Sequence, residues 1–467
     1  MFIDIYKDLM KYVNRPEAPS GEIDVVNVTP VSATSFHIDD TLAACYMANG
    51  TLINDIWELK TGNRQKIKID YVHSSLSYLS FALLYQNDHP VIFPDRHRVW
   101  PNYPIMSTYK TRDNRHIFID GVYPPLRDGL LDLFNCPNNE RALSTAIIQW
   151  EAEDLEYQIN KRNLCGTIVR TSEEWKNHPQ GKVLSKIPPI LIEKKENTAP
   201  VPFLKEGRPL TGIKVIDFTH LLAAPVSTRS LAEQGAEVLH ISGPRVYEFL
   251  PFVIDTSFGK TNTFLDLAKE VDRNTLIDLI KDADVFVQGY TPGKFKELGF
   301  GPEDIHRINP KAIYVTVSCF GTEGPWATYK GFEQIGQAVS GLMAGHSSLE
   351  NPQLLPAAVC DYLTGYLCSL GILTALYRRA TEGGSYTVEV SLVRSGMLVE
   401  SYGHREGKEA SGKIPDDLEP FFTVSKTAYG DIKHFKPVIQ MSETKGDWEI
   451  PLTPLGSSLP MWRSDKG

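Results

Sequence analysis

The chain has 467 residues, with 48 lysines and arginines against 57 aspartates and glutamates, a formal net charge of −9. That length exceeds what one hydrophobic core normally serves, so more than one domain is expected. Hydrophobic content of 42% with 22% charged residues is ordinary for a globular chain. The acidic balance argues against a nucleic-acid-binding face, yet a few local cations and backbone amides suffice to hold one anionic ligand.

No apolar run reaches the length of a membrane span, and the N-terminal "MFIDIYKDLMKYVNRPEAPSGE" lacks the apolar core and small-residue cleavage site of a secretory signal. The expectation is a cytoplasmic protein with no membrane partner. Six cysteines, at 45, 136, 165, 319, 360 and 368, form no CxxC pair and no CxxC/HxxxH spacing. They read as free thiols in a reducing compartment, with no disulfide frame and no metal site.

In chain order, residues 1–185 are expected to contain a small α+β domain. Within it "PIMSTYKTRDNRHIFIDGV" (104–122) reads as a hairpin turning at Arg112–Asp113–Asn114, and 125–164 as helices with polar turns. Residues 186–207, rich in Pro, Lys and Glu, read as a linker. From 208 to 405 the pattern becomes regular. Strands at 212–219, 237–242, 260–267, 284–290 and 312–321 alternate with helices at 223–236, 272–283 and 302–309. Alternation of that kind predicts crossover units and a Rossmann-like, doubly wound, mostly parallel sheet. Near-continuous Val/Ile runs such as "KVIDF" and "DVFVQ" suit strands covered on both faces. Residues 406–467 read as a C-terminal tail packing on the other domains. No G-x-G-x-x-G follows the first strand, so a dinucleotide cofactor is not expected.

The helix "PAAVCDYLTGYLCSLGILTALYRR" (356–379) is apolar nearly all round, with Leu363, Leu367, Leu370, Leu373 and Leu376 recurring every three or four residues. Such a helix is enclosed by protein. Its front edge carries one acid, Asp361, for which the plain structural role is an N-cap accepting first-turn amides. An internal echo is also visible. Residues 45–79 repeat the layout of 366–398, each an apolar helix, a turn with Gly62 or Gly383, and an alternating strand, which sets Asp361 opposite Asp40 or Thr41.

Residues 208–400 carry, in order and spacing, the blocks "RPLTGIKVIDFTHLLAAPVSTRSLAEQGAEVLHI", "GKTNTFLDL", "DVFVQGYTPGKFKELGFGPEDI", "NPKAIYVTVSCFGTEGPWA", "GFEQIGQAVSGLMA" and the Asp361 helix. Together they resemble the family III CoA-transferases of the CaiB/BaiF group. The N-terminal part resembles the family's later portion, through "YKTRDNRHIFID" and "RTSEEWKNHPQG", so the domain order looks rearranged or fused. The resemblance implies that Asp361, opening the D-x-x-T-G helix, is a nucleophile that takes an acyl group and then CoA, with the helix N-terminus and nearby amides stabilising the anions formed. Coenzyme A is then a substrate, no cofactor is tightly bound, and the partners are an acyl-CoA and a carboxylic acid. For CoA the resemblance points to Ala223, Ala224 and Pro225 at a helix start, to Lys260, and to Pro292, Gly293 and Lys294. Thr291 stands where many members have Arg, a gap that Lys294 or Arg229 would fill. His220 and Gln337 are candidates for substrate contact. Family members form interlocked dimers, so a homodimer is expected.

Two other readings remain open. A racemase of the same fold needs a His–Asp pair, but Phe332 stands at the histidine position and Phe moves no proton, leaving only His346 further along. A catalytically silent CoA-binding protein is the third.

Overall fold

The computed structural model describes residues 1–92, 103–244, 246–406 and 412–465. Its centre is a seven-stranded sheet of β1 (Leu191–Lys194), β2 (Lys214–Phe218), β3 (Glu237–Ser242), β4 (Lys260–Phe264), β5 (Val285–Gln288), β6 (Ile313–Ser318) and β7 (Tyr386–Ser391). The spatial order is β4-β3-β2-β5-β6-β7-β1. All neighbours pair in parallel except β1, which runs antiparallel to β7 with Val388 opposite Ile192. Counting from β2, this is the doubly wound order whose strand sequence reverses between β2 and β5. The inner strands Val285–Gln288 and Ile313–Ser318 are buried at every residue, as their unbroken apolar and β-branched runs require.

The stretch read as a linker is therefore partly structured, because Leu191–Lys194 extends the sheet by one edge strand. The C-terminal segment is likewise more than a tail. Strands Phe422–Thr427 and Gly430–Phe435 form a hairpin that continues onto Tyr85–Gln86 and His89–Pro90. The predicted N-terminal hairpin is present as Met106–Lys110 against His116–Asp120, with Gly166–Ile168 added along His116–Asp120 and helices Pro124–Phe134, Glu140–Ile147 and Ala152–Lys161 around it.

Two 24-residue helices, α1 (Ile38–Thr61) and the later Val359–Glu382, lie against each other in the core. Between them in sequence come α2 (Ala223–Glu233) and α3 (Glu333–Ser340), so Val359–Glu382 is α4, followed by α5 (Leu392–Ser401). Helix α4 has the length of the helix read at 356–379 and, contrary to the expectation that no run is long enough for a membrane span, is long and apolar enough to cross a bilayer, though almost wholly enclosed by the rest of the chain. Its five periodic leucines are 0–1% exposed, each burial stabilising by roughly 1.5–3 kcal/mol. Helix α4 crosses α2 so closely that a Cβ at Gly365 would stand 2.5 Å from the Ala223 carbonyl oxygen. Thr364 beside it is tied through its hydroxyl to Ser395 of α5 at 2.6 Å. The T-G pair thus fixes how α4, and Asp361 one turn earlier, sits on the sheet's carboxyl edge.

Candidate active site

Asp361 is the third residue of α4, and it is not a cap. The helix start at Ala358 has no side-chain cap of its own. The cap comes from α3 instead: the Cys360 and Asp361 amides donate to the two carboxylate oxygens of Glu333 at 3.1 and 2.5 Å. Gln337, one turn along α3, donates to the same carboxylate at 2.6 Å and to the Ala357 carbonyl at 3.1 Å, and accepts from the Leu355 amide at 2.8 Å. Every hydrogen-bonding position of that pair serves the α3–α4 junction. The orphan amides of the first turn are satisfied, and the Asp361 carboxylate is left with no hydrogen-bond partner among the described residues.

It faces a cavity of about 310 Å³. The floor is Leu221, Leu222, Phe332, Glu333, Gln334 and Asp361 from the carboxyl edge of the sheet, and the far wall is built by Ile105, Met106, Gly121 and Val122 of the small domain. One chain therefore supplies both sides. Asp361 is 9% exposed; burial, then the neighbouring Glu333 and Asp120 carboxyls, hold its pKa well above the usual carboxylate range. Burial also raises Glu333, against the pull of the amides it accepts, and raises Asp120 to about 7. Asp120 closes β-hairpin residues His116–Asp120, accepts from the Val122 amide at 3.0 Å, and keeps a second oxygen buried without a partner. Glu333 and Asp120 both raise Asp361, so the three buried carboxyls do not ionise independently. Leu221, on the floor, has φ 63°. Among the described residues it is the sole left-handed residue that is not Gly, Asn or Asp, a strained conformation of the kind held at functional sites.

Several expectations need correction. Lys260 is 1% exposed, and its ammonium is held by Asp217 and the Pro225 carbonyl, both at 2.9 Å. It clamps β4 to β2 and α2 from a buried position, away from solvent. Arg229 is similarly committed to Asp255, at 3.0 Å to its carboxylate and 2.8 Å to its carbonyl. His220 is off the cavity wall, packed against Tyr290 and Tyr123 with ring centroids 4.7 and 6.1 Å away. Burial holds its imidazole neutral by lowering its pKa to about 4. Gln337 contacts the α4 cap rather than the cavity. The α4 amides assigned to anion stabilisation are occupied by Glu333. His346 is bonded to Thr34 at 3.1 Å and is absent from the cavity wall.

The remaining candidates are placed as follows. Ala223, Ala224 and Pro225 form the first turn of α2 at the carboxyl end of β2, their side chains buried. Pro292, Gly293 and Lys294 follow β5 on the neighbouring loop, where Gly293 has φ 89° and Lys294 pairs with Glu297 at 2.8 Å. Both segments flank the point where the strand order reverses, the crevice in which doubly wound sheets take ligands.

The sequence marks neither Glu333 as the cap of α4 nor Asp120 as a group beside Asp361. A cap contributed from 28 residues upstream leaves no spacing signal, and Asp120 lies in another domain inside an ordinary strand pattern.

A sequence profile of CoA-transferase family III matches residues 18–186 and 210–419. Acetyl-coenzyme A transferase nodX of Hypoxylon pulicicidum is 30% identical over 412 residues, 78% of this chain and 69% of that one. An acyl-CoA transferase of Gibberella moniliformis is 31% identical over 287 residues, 58% of this chain and 50% of its own. The acetyl-CoA:oxalate CoA-transferase of Acetobacter aceti is 34% identical over 203 residues, covering 40% and 52%. The matched stretch spans about half the length of these last two relatives. A crystal structure of a CaiB/BaiF family protein from Brucella suis aligns over 48% of this chain and 65% of that one, at 22% identity and a TM-score of 0.40. With the profile matching most of its length on both sides of β1, the chain belongs to CoA-transferase family III.

Proposed function

We propose that the chain transfers CoA from an acyl-CoA to a free carboxylic acid through covalent intermediates on Asp361. The Asp361 carboxylate adds to the thioester carbonyl carbon; the C–S bond breaks, leaving a mixed anhydride and CoA thiolate. The thiolate then adds to the Asp361 carbonyl of that anhydride, which releases the first acid and leaves an aspartyl–CoA thioester. An acceptor carboxylate displaces the thiolate from Asp361, giving a second anhydride, and the thiolate attacks the acceptor's carbonyl. The new acyl-CoA leaves and the aspartate carboxylate is restored.

The single observation carrying this reading is that Glu333 takes over the capping role, which leaves an unpartnered carboxylate on a cavity wall. Burial beside Glu333 makes the Asp361 anion poorly stabilised, hence reactive once deprotonated, and favours its conversion to a neutral ester-like adduct. The first-turn amides of Ala223 and Ala224 at the α2 start, which has no side-chain cap among the described residues, and the Pro292–Lys294 loop flank the strand-order reversal and suit the CoA phosphates. A two-base racemase is less well supported, since no histidine lines the cavity among the described residues.

The test is to mix the protein with an acyl-CoA, quench, and map the adduct by peptide mass spectrometry, with hydroxylamine converting it to a hydroxamate. The expected adduct is on Asp361, and Asp361→Asn abolishes both adduct and CoA exchange. An adduct elsewhere, or exchange at an unchanged rate in that variant, rejects the mechanism.

A further inference from the structure

The cavity is built from rings and aliphatic side chains whose positions are fixed by one another. On one side Phe81, Phe249 and Phe252 interlock, with centroids 5.3 Å (Phe81–Phe252) and 4.8 Å (Phe249–Phe252) apart and near-perpendicular planes. On the other, Tyr123 stands behind Phe332 and Tyr247 at 5.7 and 5.8 Å and backs both. Ile105 and Leu222, 5% and 1% exposed, close the buried end. Edge-to-face aromatic packing of this kind holds its shape and presents hydrocarbon to the void.

Charge is distributed just as unevenly. The buried end holds Asp361 and Glu333 with Asp120 close by, all acidic. The sole cationic side chain on the wall among the described residues is Arg127, and its guanidinium is bonded to Asp128 at 2.8 Å. A small dicarboxylic acid seated against Asp361 would bring its second carboxylate beside the Glu333 carboxyl, and among the described residues the wall offers no cation other than the paired Arg127; like charges so placed repel. A hydrocarbon tail meets no such cost and gains the whole apolar wall.

We infer that the acyl subsite selects monocarboxylic acids with a sizeable apolar part, a medium straight chain or an aryl-alkyl group, and rejects short dicarboxylates. This rests on the Asp361 transferase reading and specifies its substrate class. Size follows from volume. A dry cavity of about 150 Å³ lined by Leu, Ile and Phe takes one benzene, so 310 Å³ holds about twice that, a tail of roughly eight to ten carbons.

The experiment uses the full chain with straight-chain acyl-CoA donors from acetyl to dodecanoyl, plus phenylpropanoyl-CoA and oxalyl-CoA. The readout is incorporation of the matching isotope-labelled free acid into acyl-CoA. The expected kcat/KM rises about fourfold per added methylene, levels near octanoyl to decanoyl, and leaves oxalyl and acetyl at least a hundredfold behind. Met106→Trp, which fills the wall from the small-domain side, moves the optimum to shorter chains. A profile flat in chain length, or one led by oxalyl or acetyl while Asp361 still carries the adduct, overturns the substrate class and leaves the mechanism standing. Absence of exchange and of adduct with every donor rejects both.

Discussion

Replacing Glu333 by Gln separates the capping role of this side chain from its electrostatic one. Its carboxylate accepts the Cys360 and Asp361 amides at 3.1 and 2.5 Å and the Gln337 amide at 2.6 Å. Hydrogen bonds to a charged group contribute about 1.5–3 kcal/mol each. A glutamine retains one oxygen, so one of the two backbone donors at the α4 start loses its acceptor and meets an NH2 instead. The expected loss is about 2–4 kcal/mol of stability, read from the urea midpoint at unchanged m-value. The effect on Asp361 has the opposite character. Its pKa is raised by burial first and by Glu333 second; removing the charge lowers it. Only the deprotonated form attacks a thioester, so the rate climbs as pH rises through the Asp361 pKa, and that climb moves to lower pH in the variant. The assay is single-turnover formation of the protein adduct across pH 4–9, followed by quench and intact mass. A general loosening of the site would depress the plateau without moving the inflection. An inflection that stays in place or shifts upward, or a fully stable variant, refutes the assigned role of Glu333.

Four further outcomes follow from the same geometry. Lys260→Met removes the ammonium from the buried Asp217 carboxylate, which keeps the Thr219 and Thr228 hydroxyls and the nearby His240, and is expected to cost about 3–5 kcal/mol with no specific loss of CoA affinity; calorimetry showing weaker CoA binding in a stably folded variant would favour a ligand role. Asp120, raised from 3.8 to about 7, binds its proton more tightly folded than unfolded. Stability is therefore greatest below about pH 4 for this group and falls by about 4 kcal/mol as pH rises to 7, so Asp120→Asn is expected to flatten thermal-unfolding curves in that window. Gly365→Ala forces a methyl to 2.5 Å from the Ala223 carbonyl, with an expected loss of about 1–3 kcal/mol and of turnover, checked by paired melting and exchange assays. Asp40→Asn is expected to leave CoA exchange within about twofold of the parent while costing about 1–3 kcal/mol through its lost partners.

What was legible in the sequence is what short-range chemistry dictates. Periodicity found the parallel strands because β2, β5 and β6 are apolar or β-branched over their whole length, and it found α4 because leucine recurs along it. The Leu191–Lys194 edge strand escaped because it has four residues, two of them exposed, beside prolines that read as linker. The C-terminal hairpin escaped for a similar reason, since Phe422–Thr427 alternates weakly and pairs with residues far back in the chain. Within the site, Asp361 could be located by its helix, whereas the reason it is uncapped lies on α3. Lys260 shows the converse: a "GK" pair looks solvated in sequence, and only the buried Asp217 beneath it reveals why a lysine is required there.

The internal echo sets two aspartates at matching helix positions in different surroundings. Helices α1 and α4 are both 24 residues long, each ends at a positive-φ glycine (Gly62 and Gly383), and each has an aspartate as its third residue, so Asp40 rather than Thr41 answers to Asp361. Their surroundings differ in who supplies the cap. On α1 no outside residue does so, and the acids tie down their own neighbourhood: Asp39 accepts from the Val31 and Ser32 amides at 3.0 and 3.1 Å, and Asp40 bonds His37 at 2.8 Å and accepts from the Tyr71 hydroxyl at 3.1 Å. Arg405 reaches both carboxylates, at 3.1 and 3.8 Å. A carboxylate whose oxygens are bonded to a histidine and a phenol beside a guanidinium is stabilised as an anion and is a poor nucleophile, and attack would first have to break those bonds. On α4 the amides are already taken by Glu333, no cation pairs with Asp361 among the described residues, and Asp361 lines the cavity. The same helix, acid and position thus yield a bonded carboxylate on α1 and an unpartnered one on the cavity wall on α4. The difference is made by a glutamate on α3, placed where the amides of α4 would otherwise have claimed their own aspartate.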